Sequence, residues 1–273
     1  MLQKVIQAVK YCNNFFMNAK FFRQISTATA SFVFILIFNQ LGNAQSIVPR
    51  ANSDYSRCNG YAQQRKIEIA LLYCHRSIEA NPNLVNAYIV RGIIYARQNK
   101  IDLALSDYNR AIELNPNSTS AYTNRGSILS KKNKIELALA DYNRAIELNP
   151  NLTKAYINRG NLYGRAGNFE FALADYNRII KLQPNFAQTY ANRGVLYEKF
   201  GDFELALADY NRAIKLQPNF AQVYVNRGVL HENLGKFELA LADYNRAIEL
   251  NPNLIKPYIY RDNLSKNNRK LKY

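Results

Sequence analysis

Apolar and small residues recur in two stripes within each stretch of 34 residues between residues 85 and 254. In the first stretch the stripes consist of Tyr88, Gly92 and Tyr95, and then of Ala104, Tyr108 and Ala111. Intervals of three and four residues are typical of amphipathic helices. Each stretch is therefore predicted to form two helices.

Helix-ending residues recur with the same period. The prolines 34 residues apart are Pro82, Pro116, Pro150, Pro184, Pro218 and Pro252. Position 1 of the first full unit is residue 85, and each later unit starts 34 residues further on. In this numbering the proline is position 32, where it ends the second helix. Position 15 holds residues that tolerate a left-handed backbone, namely Asn99, Asn133, Gly167, Gly201 and Gly235. Each unit is thus predicted to be helix, turn, helix.

This pattern resembles the tetratricopeptide repeat (TPR) family. The family's Trp, Leu-Gly, Tyr, Ala, Phe and Pro positions are matched by NAYIVRGIIY and ALSDYNRAIELNP, with Tyr for Trp, Arg for Leu and Tyr for Phe. The resemblance implies an all-α, right-handed α-solenoid of 34-residue helix-turn-helix units, because one hairpin cannot bury its own apolar face. It also implies a non-catalytic scaffold that binds a protein or peptide in a concave groove.

The repeat divides the chain into five parts. Residues 85–254 are five full repeats, residues 51–84 a degenerate TPR-like repeat, and residues 255–273 a capping helix with a basic tail. Residues 1–44 run from basic residues into an apolar stretch that is followed by LGNAQS, residues 41–46, as in a signal peptide cleaved after Ala44. Residues 45–50 are then a short linker. The protein is expected to be exported to a periplasmic, lumenal or secreted location.

Two other interpretations of the N-terminal segment stay open. An uncleaved segment would be a membrane anchor, although the stretch from Ile25 to Phe38 has only 14 residues and a membrane-spanning helix needs about 20. An acid-free, basic organelle-targeting peptide is the other possibility. A membrane is expected as a partner only if the segment is uncleaved.

The basic composition raises the possibility of an anionic partner. Lysine and arginine number 36 against 20 acidic residues, a net charge of +16. Nucleic acid or another polyanion is therefore an alternative partner. The aromatic residues at positions 4, 11 and 24 are needed for the core, however, so nucleic acid binding is not the favoured hypothesis.

Catalytic chemistry has few candidate residues. The chain has two histidines and three cysteines, and it lacks a glycine-rich phosphate loop and a CxxC pair. We expect no catalytic residues, no metal site and no cofactor. A role as accessory subunit of an enzyme complex remains an alternative.

Three structural contacts are predicted from the repeat positions. Arginine at position 7 recurs with aspartate at position 23, so the two are expected to form an ion pair. Glycine at position 8 is unfavourable in a helix, and close packing against Ala104 and its equivalents would explain it. Cys58 and Cys74 occupy positions 8 and 24 of the degenerate repeat, where a disulfide or two buried thiols are both possible.

The candidate binding residues lie on the first helices, which line the groove in the TPR family. Position 6 repeats as Asn124, Asn158, Asn192 and Asn226, similar to the asparagine ladder with which some long TPR arrays hold an extended peptide. Position 13 adds a basic row of Arg97, Lys131, Arg165 and Lys199. With the mostly apolar position 5, these residues favour an extended partner with acidic and apolar side chains. The alternative is that the asparagines only brace neighbouring helices.

Overall fold

The structure is a computed structural model that describes residues 49–270, with side-chain surroundings to Leu264. The predicted signal peptide, residues 45–48 of the linker and residues 271–273 of the tail lie outside this range. The chain divides into two compact units between Ala87 and Tyr88. Within residues 49–270, no helix has both the length and the apolar character needed to cross a membrane.

The described residues form thirteen helices and no strands, as the all-α prediction requires. They are α1 (49–63), α2 (Ile67–Ala80), α3 (Val85–Arg97), α4 (Ile101–Leu114), α5 (Thr119–Lys131), α6 (Ile135–Leu148), α7 (Thr153–Arg165), α8 (Phe169–Leu182), α9 (Ala187–Phe200), α10 (Phe203–Leu216), α11 (Ala221–Asn233), α12 (Phe237–Leu250) and α13 (Ile255–Lys270). From α4 to α13 each helix packs against the next. The first helices of successive repeats, α5, α7, α9, α11 and α13, also contact one another.

The turn within each hairpin adopts the predicted left-handed conformation. The backbone φ is +60° at Asn99 and +57° at Asn133, and it lies between +70° and +90° at the three position-15 glycines. Arg65 takes the same conformation in the degenerate repeat, with φ of +59°. The prediction of helix, turn, helix is confirmed throughout the described repeats.

The glycine at position 8 packs most closely against a different residue from the one predicted. An added Cβ on Gly92 would meet the Tyr108 ring at 2.7 Å, and one on Gly228 would meet the Tyr244 ring at 2.6 Å. The tyrosine at position 24 is therefore the nearest neighbour, and the predicted alanine at position 20 comes close in the fourth repeat, where the carbonyl oxygen of Ala206 lies 3.3 Å from a Cβ added to Gly194. These tyrosines are buried in all five repeats. Only glycine leaves room for a ring of this size between the two helices.

The predicted pair of arginine and aspartate forms in all five repeats. In the third repeat, Arg159 Nε and Nη2 donate to the two oxygens of Asp175 at 2.9 and 2.7 Å. A third bond, which sequence analysis missed, runs from Arg159 Nη1 to Asn143 Oδ1 of the preceding repeat at 2.6 Å. The same triad joins the second, fourth and fifth repeats to their predecessors. The arginine thus links two helices within a repeat and two repeats to each other.

Burial limits the net stability that the pair can add. Burial raises the pKa of Asp175 even though Arg159 acts to lower it, so desolvation outweighs the attraction of the partner. Buried pairs of this kind add little net stability, but losing one partner leaves an uncompensated charge.

The degenerate repeat is held together differently. A disulfide joins Cys58 and Cys74, whose Cα atoms lie 5.0 Å apart. These cysteines stand where the full repeats have glycine and tyrosine. Asp54 forms an ion pair with Arg76 at 3.4 Å, and Ser77 Oγ donates to the carbonyl of Ala51 at 2.9 Å.

The last helix covers the end of the fifth repeat. Leu264 of α13 is buried against Ala240 and Tyr244 of α12. Asp262 occupies the position of the glycine. The helix continues to Lys270, so most of the predicted tail is helical.

Candidate functional site

The first helices of the second, third and fourth repeats line one cavity of about 490 Å³. Helices α5, α7 and α9 provide most of its wall, and two second-helix tyrosines complete it. It brings together five of the eight predicted binding residues, namely Asn158, Asn192, Lys131, Arg165 and Lys199. Asn124, Asn226 and Arg97 do not line it.

The four asparagines of position 6 are half-buried and make contacts with neighbouring side chains. Asn158 Nδ2 donates to Ser127 Oγ at 3.0 Å, and Asn192 Nδ2 donates to Asn161 Oδ1 at 3.3 Å, both in the preceding repeat. Asn124 accepts from Lys154 at 3.1 Å, and Asn226 accepts from Gln222 at 2.9 Å. Asn124, Asn158 and Asn192 therefore link neighbouring first helices, whereas Asn226 pairs within α11. An amide can form up to about four hydrogen bonds, so these contacts leave capacity for a ligand.

The basic row places one cation along the cavity wall on the first helix of each of three successive repeats. Lys131, Arg165 and Lys199 are exposed side chains along its wall. Arg165 also donates to Ser130 of the preceding repeat, which holds its guanidinium over the cavity. A run of cations beside amides and hydroxyls is suited to carboxylate side chains on an extended chain.

Tyrosine hydroxyls are the functional groups that sequence analysis missed. Tyr142 donates to Ser127 at 3.4 Å and Tyr176 to Asn161 at 2.6 Å, and all four residues line the cavity. Burial raises the pKa of both tyrosines, so they stay protonated as donors. The available signal was tyrosine where the family has phenylalanine, since the extra oxygen requires a polar neighbour.

Position 5 does not contribute as predicted. Four of its five members, Ile89, Thr123, Ala191 and Val225, are buried between helices. Ala191 and Val225, for example, belong to core clusters with residues of the second helices. The predicted apolar character of the groove therefore has no support from this position.

The described histidines are held in structural contacts. His75 Nδ1 lies 2.8 Å from the carbonyl of Leu71, one turn away in α2. His231 is largely buried, with Nε2 3.8 Å from Asp243. Among residues 49–270, no three His, Cys, Asp or Glu side chains gather as a metal site would require.

Several solved structures have a similar fold. The pilus biogenesis factor PilW superposes with a TM-score of 0.71 at 18% identity, over 77% of this chain and 97% of that one. YrrB, described as a TPR protein with an unusual peptide-binding site, superposes with a TM-score of 0.52 at 21% identity. The match covers 69% of this chain and 97% of that one. The Cut9-Hcn1 hetero-tetramer of APC/C superposes with a TM-score of 0.68 at 20% identity. The match covers 81% of this chain and 45% of that one. At these identities the similarity shows the fold alone.

Comparison with family models gives direct evidence from the sequence. The tetratricopeptide repeat model matches five consecutive units, at residues 85–118, 119–152, 153–186, 187–220 and 221–254. These are the five units predicted from the prolines. A comparison with curated proteins gave no match. The five consecutive matches and the helical hairpins that they form place this chain in the tetratricopeptide repeat family.

Proposed function

We propose that this protein is an exported scaffold that binds an extended, acidic segment of a partner protein in the groove of α5, α7 and α9. The TPR fold supports a role in protein-protein interaction. The single observation that carries the finer proposal is the cavity in which Asn158 and Asn192 lie beside Lys131, Arg165 and Lys199.

The chemistry of the cavity suits a peptide better than a folded surface. Amides both donate and accept, so they can pair with a peptide backbone whatever its sequence. The cations select acidic side chains and speed association. The similar structure YrrB is described as having a peptide-binding site, which agrees with this use of the fold.

Export is supported by the disulfide geometry. Cys58 and Cys74 lie close enough to be joined, and such bonds persist in oxidising compartments. The basic and apolar character of residues 1–44 is consistent with a signal peptide. A membrane-anchored form is the alternative.

The test is to replace Asn158 and Asn192 with alanine and to measure partner binding. The partner is isolated first, by affinity purification of the exported chain and mass spectrometry. We expect the double variant to bind it at least about tenfold more weakly, because two amides no longer meet the backbone.

A matched control separates binding from folding. Asn185 and Asn219 are exposed asparagines in the turns between repeats, and replacing both with alanine should leave affinity unchanged. Thermal unfolding of the groove variant should stay near that of the parent protein. Unchanged affinity, or a collapse of stability, would contradict the proposal. Steeply salt-dependent binding of RNA or DNA would favour a polyanion partner instead.

A further inference from the structure

The groove changes its chemistry between the third and fourth repeats. Position 9 is Ser127 and then Asn161 in the second and third repeats, but it is valine in the fourth and fifth. Position 12 changes from small to acidic residues. It is Ser130 and then Gly164, followed by glutamate in the last two repeats. Hydroxyl and amide groups thus give way to apolar and acidic ones.

The buried tyrosine of position 24 shows where the two glutamates lie. In the second and third repeats its hydroxyl donates to the residue at position 9, which lines the cavity. In the fourth and fifth repeats it donates to position 12 instead, from Tyr210 to Glu198 at 2.7 Å and from Tyr244 to Glu232 at 2.6 Å. Position 12 of the second and third repeats, Ser130 and Gly164, lines the cavity, so the equivalent Glu198 and Glu232 are assigned to the groove face of α9 and α11.

These glutamates are able to bind a further ligand. Each is only partly buried, and a carboxylate accepts about four hydrogen bonds, of which the tyrosine supplies one. The hydrogen bond from the tyrosine also fixes the carboxylate, so less freedom is lost when a cation binds.

The basic row ends where the acidic groups begin. Lys131, Arg165 and Lys199 occupy position 13 in the second to fourth repeats, and the fifth repeat has Asn233 there. Glu198 and Lys199 are adjacent on α9, so the sign of the groove changes at that helix. Toward α5 the groove carries cations, and toward α11 it carries anions.

We propose that the groove is bipolar and selects a partner segment that is acidic over α5 and α7 and becomes basic from α9, where Glu198 lies beside Lys199, to α11. This inference rests on the proposed function, since it concerns the same bound segment. Adjacent helices lie about 10 Å apart and an extended chain rises about 3.3 Å per residue, so each repeat spans roughly three residues. An acidic block and a basic block of about six residues each would match the two halves. Opposite charges in this order also fix the direction in which the segment binds.

Synthetic peptides of twelve residues with a fluorescent label test this proposal. One peptide is acidic throughout, one is basic throughout, and two carry an acidic and a basic block in the two possible orders, with the other residues held constant. Fluorescence anisotropy gives their affinities. We expect one of the two bipolar peptides to bind about tenfold more tightly than the acidic peptide, the ratio expected when two partly exposed charge pairs are gained.

Two sets of substitutions assign that preference to the groove. Glu198→Gln with Glu232→Gln should abolish the advantage of the bipolar peptide and leave the affinity of the acidic peptide no lower. Lys131→Gln with Arg165→Gln should weaken both peptides. The control replaces Glu136 and Glu238, exposed on the second helices, with glutamine and should change neither affinity. Glutamine keeps an oxygen that can accept from the tyrosine, and circular dichroism checks the fold of each variant.

The outcomes separate this inference from the proposed function. If the acidic peptide binds in a manner that needs Lys131 and Arg165 but neither bipolar peptide binds better, the bipolar groove is wrong and the acidic groove stands. An advantage that survives the two glutamate substitutions also contradicts the bipolar groove. If no peptide binding depends on either set, both proposals are overturned.

Discussion

The two helices of each full repeat differ in how closely they have been copied. The second helices are nearly identical, and α10 and α12 differ at a single residue. The first helices keep tyrosine, arginine and glycine at positions 4, 7 and 8 but differ at positions 9, 12 and 13. The constant residues at positions 7 and 8 contact the second helix, whereas positions 9, 12 and 13 line the cavity in the second and third repeats. The repeats thus share the packing residues at positions 4, 7 and 8, and they differ at positions 9, 12 and 13, where a partner would bind.

Constancy alone is nevertheless a weak guide to packing. Position 19 of the second helices is always large and apolar, yet its members are about half exposed: Leu103, Leu137, Phe171, Leu205 and Leu239. A copied segment keeps its exposed residues along with its buried ones. Variation at positions 9, 12 and 13 of otherwise copied repeats is the more informative feature, because these positions line the cavity.

The largest expected effect follows from breaking the arginine contacts between helices. Arg159→Leu would leave Asp175 buried without its partner and Asn143 without its donor, at a cost of about 3 kcal/mol in the free energy of unfolding. Urea unfolding followed by circular dichroism measures it. Arg144→Leu removes an exposed pair with Glu147 and should cost far less, because solvent screens the pair. Equal losses for the two variants would show that the buried triad has no special role.

The disulfide should be nearly as important within the degenerate repeat. Replacing Cys58 and Cys74 together with alanine reopens a loop of 16 residues, for an expected loss of about 3 kcal/mol. Hydrogen exchange of α1 and α2 is the measurement, because the loss is local. A reducing agent should accelerate exchange of these helices in the parent protein and have no effect on the variant. Unchanged protection in the reduced parent would contradict this assignment.

Glycine substitutions should have opposite signs in two places. Gly228→Ala would bring a methyl group against the Tyr244 ring and destabilise the fold by about 1–3 kcal/mol. Gly60→Ala in α1 meets no described atom within 4 Å and should stabilise the protein by up to about 1 kcal/mol through helix propensity. Thermal unfolding of both variants decides the matter. A neutral Gly228→Ala would mean that the tyrosine can move aside.

The smallest effect concerns His231, the one histidine at position 11. Burial lowers its pKa below the usual 6.5, so the folded state binds a proton less readily than the unfolded state. Its contribution to stability is therefore complete above pH 6.5 and is lost as the pH falls below that value. His231→Tyr should lose less stability than the parent protein between about pH 7.5 and about 5.5. Parallel losses in the two proteins would rule out this titration.

Sequence patterns predicted the repeats and the ion pair within each repeat better than they predicted the side chains of the groove. Period, turns and prolines gave every repeat boundary, and opposite charges at positions 7 and 23 predicted the ion pair. The asparagine at position 25 was missed because an exposed amide in a copied segment has no obvious partner until the repeats are stacked. The roles of Tyr176 and Glu198 could not be predicted either, since they depend on which way a buried hydroxyl turns. Position 5 was misplaced because helical spacing does not distinguish the groove from the adjoining core.

Site-specific photo-crosslinking in the producing cells tests the central claim most directly, because it compares the groove with the outer face while the partner is bound. A photoreactive phenylalanine analogue replaces Asn161, which lines the cavity, or Leu137, which is exposed on a second helix. We predict that Asn161 captures a defined partner segment rich in acidic residues and that Leu137 does not capture it. Capture of the same segment from Leu137 alone, or equally from both positions, would contradict binding in the groove.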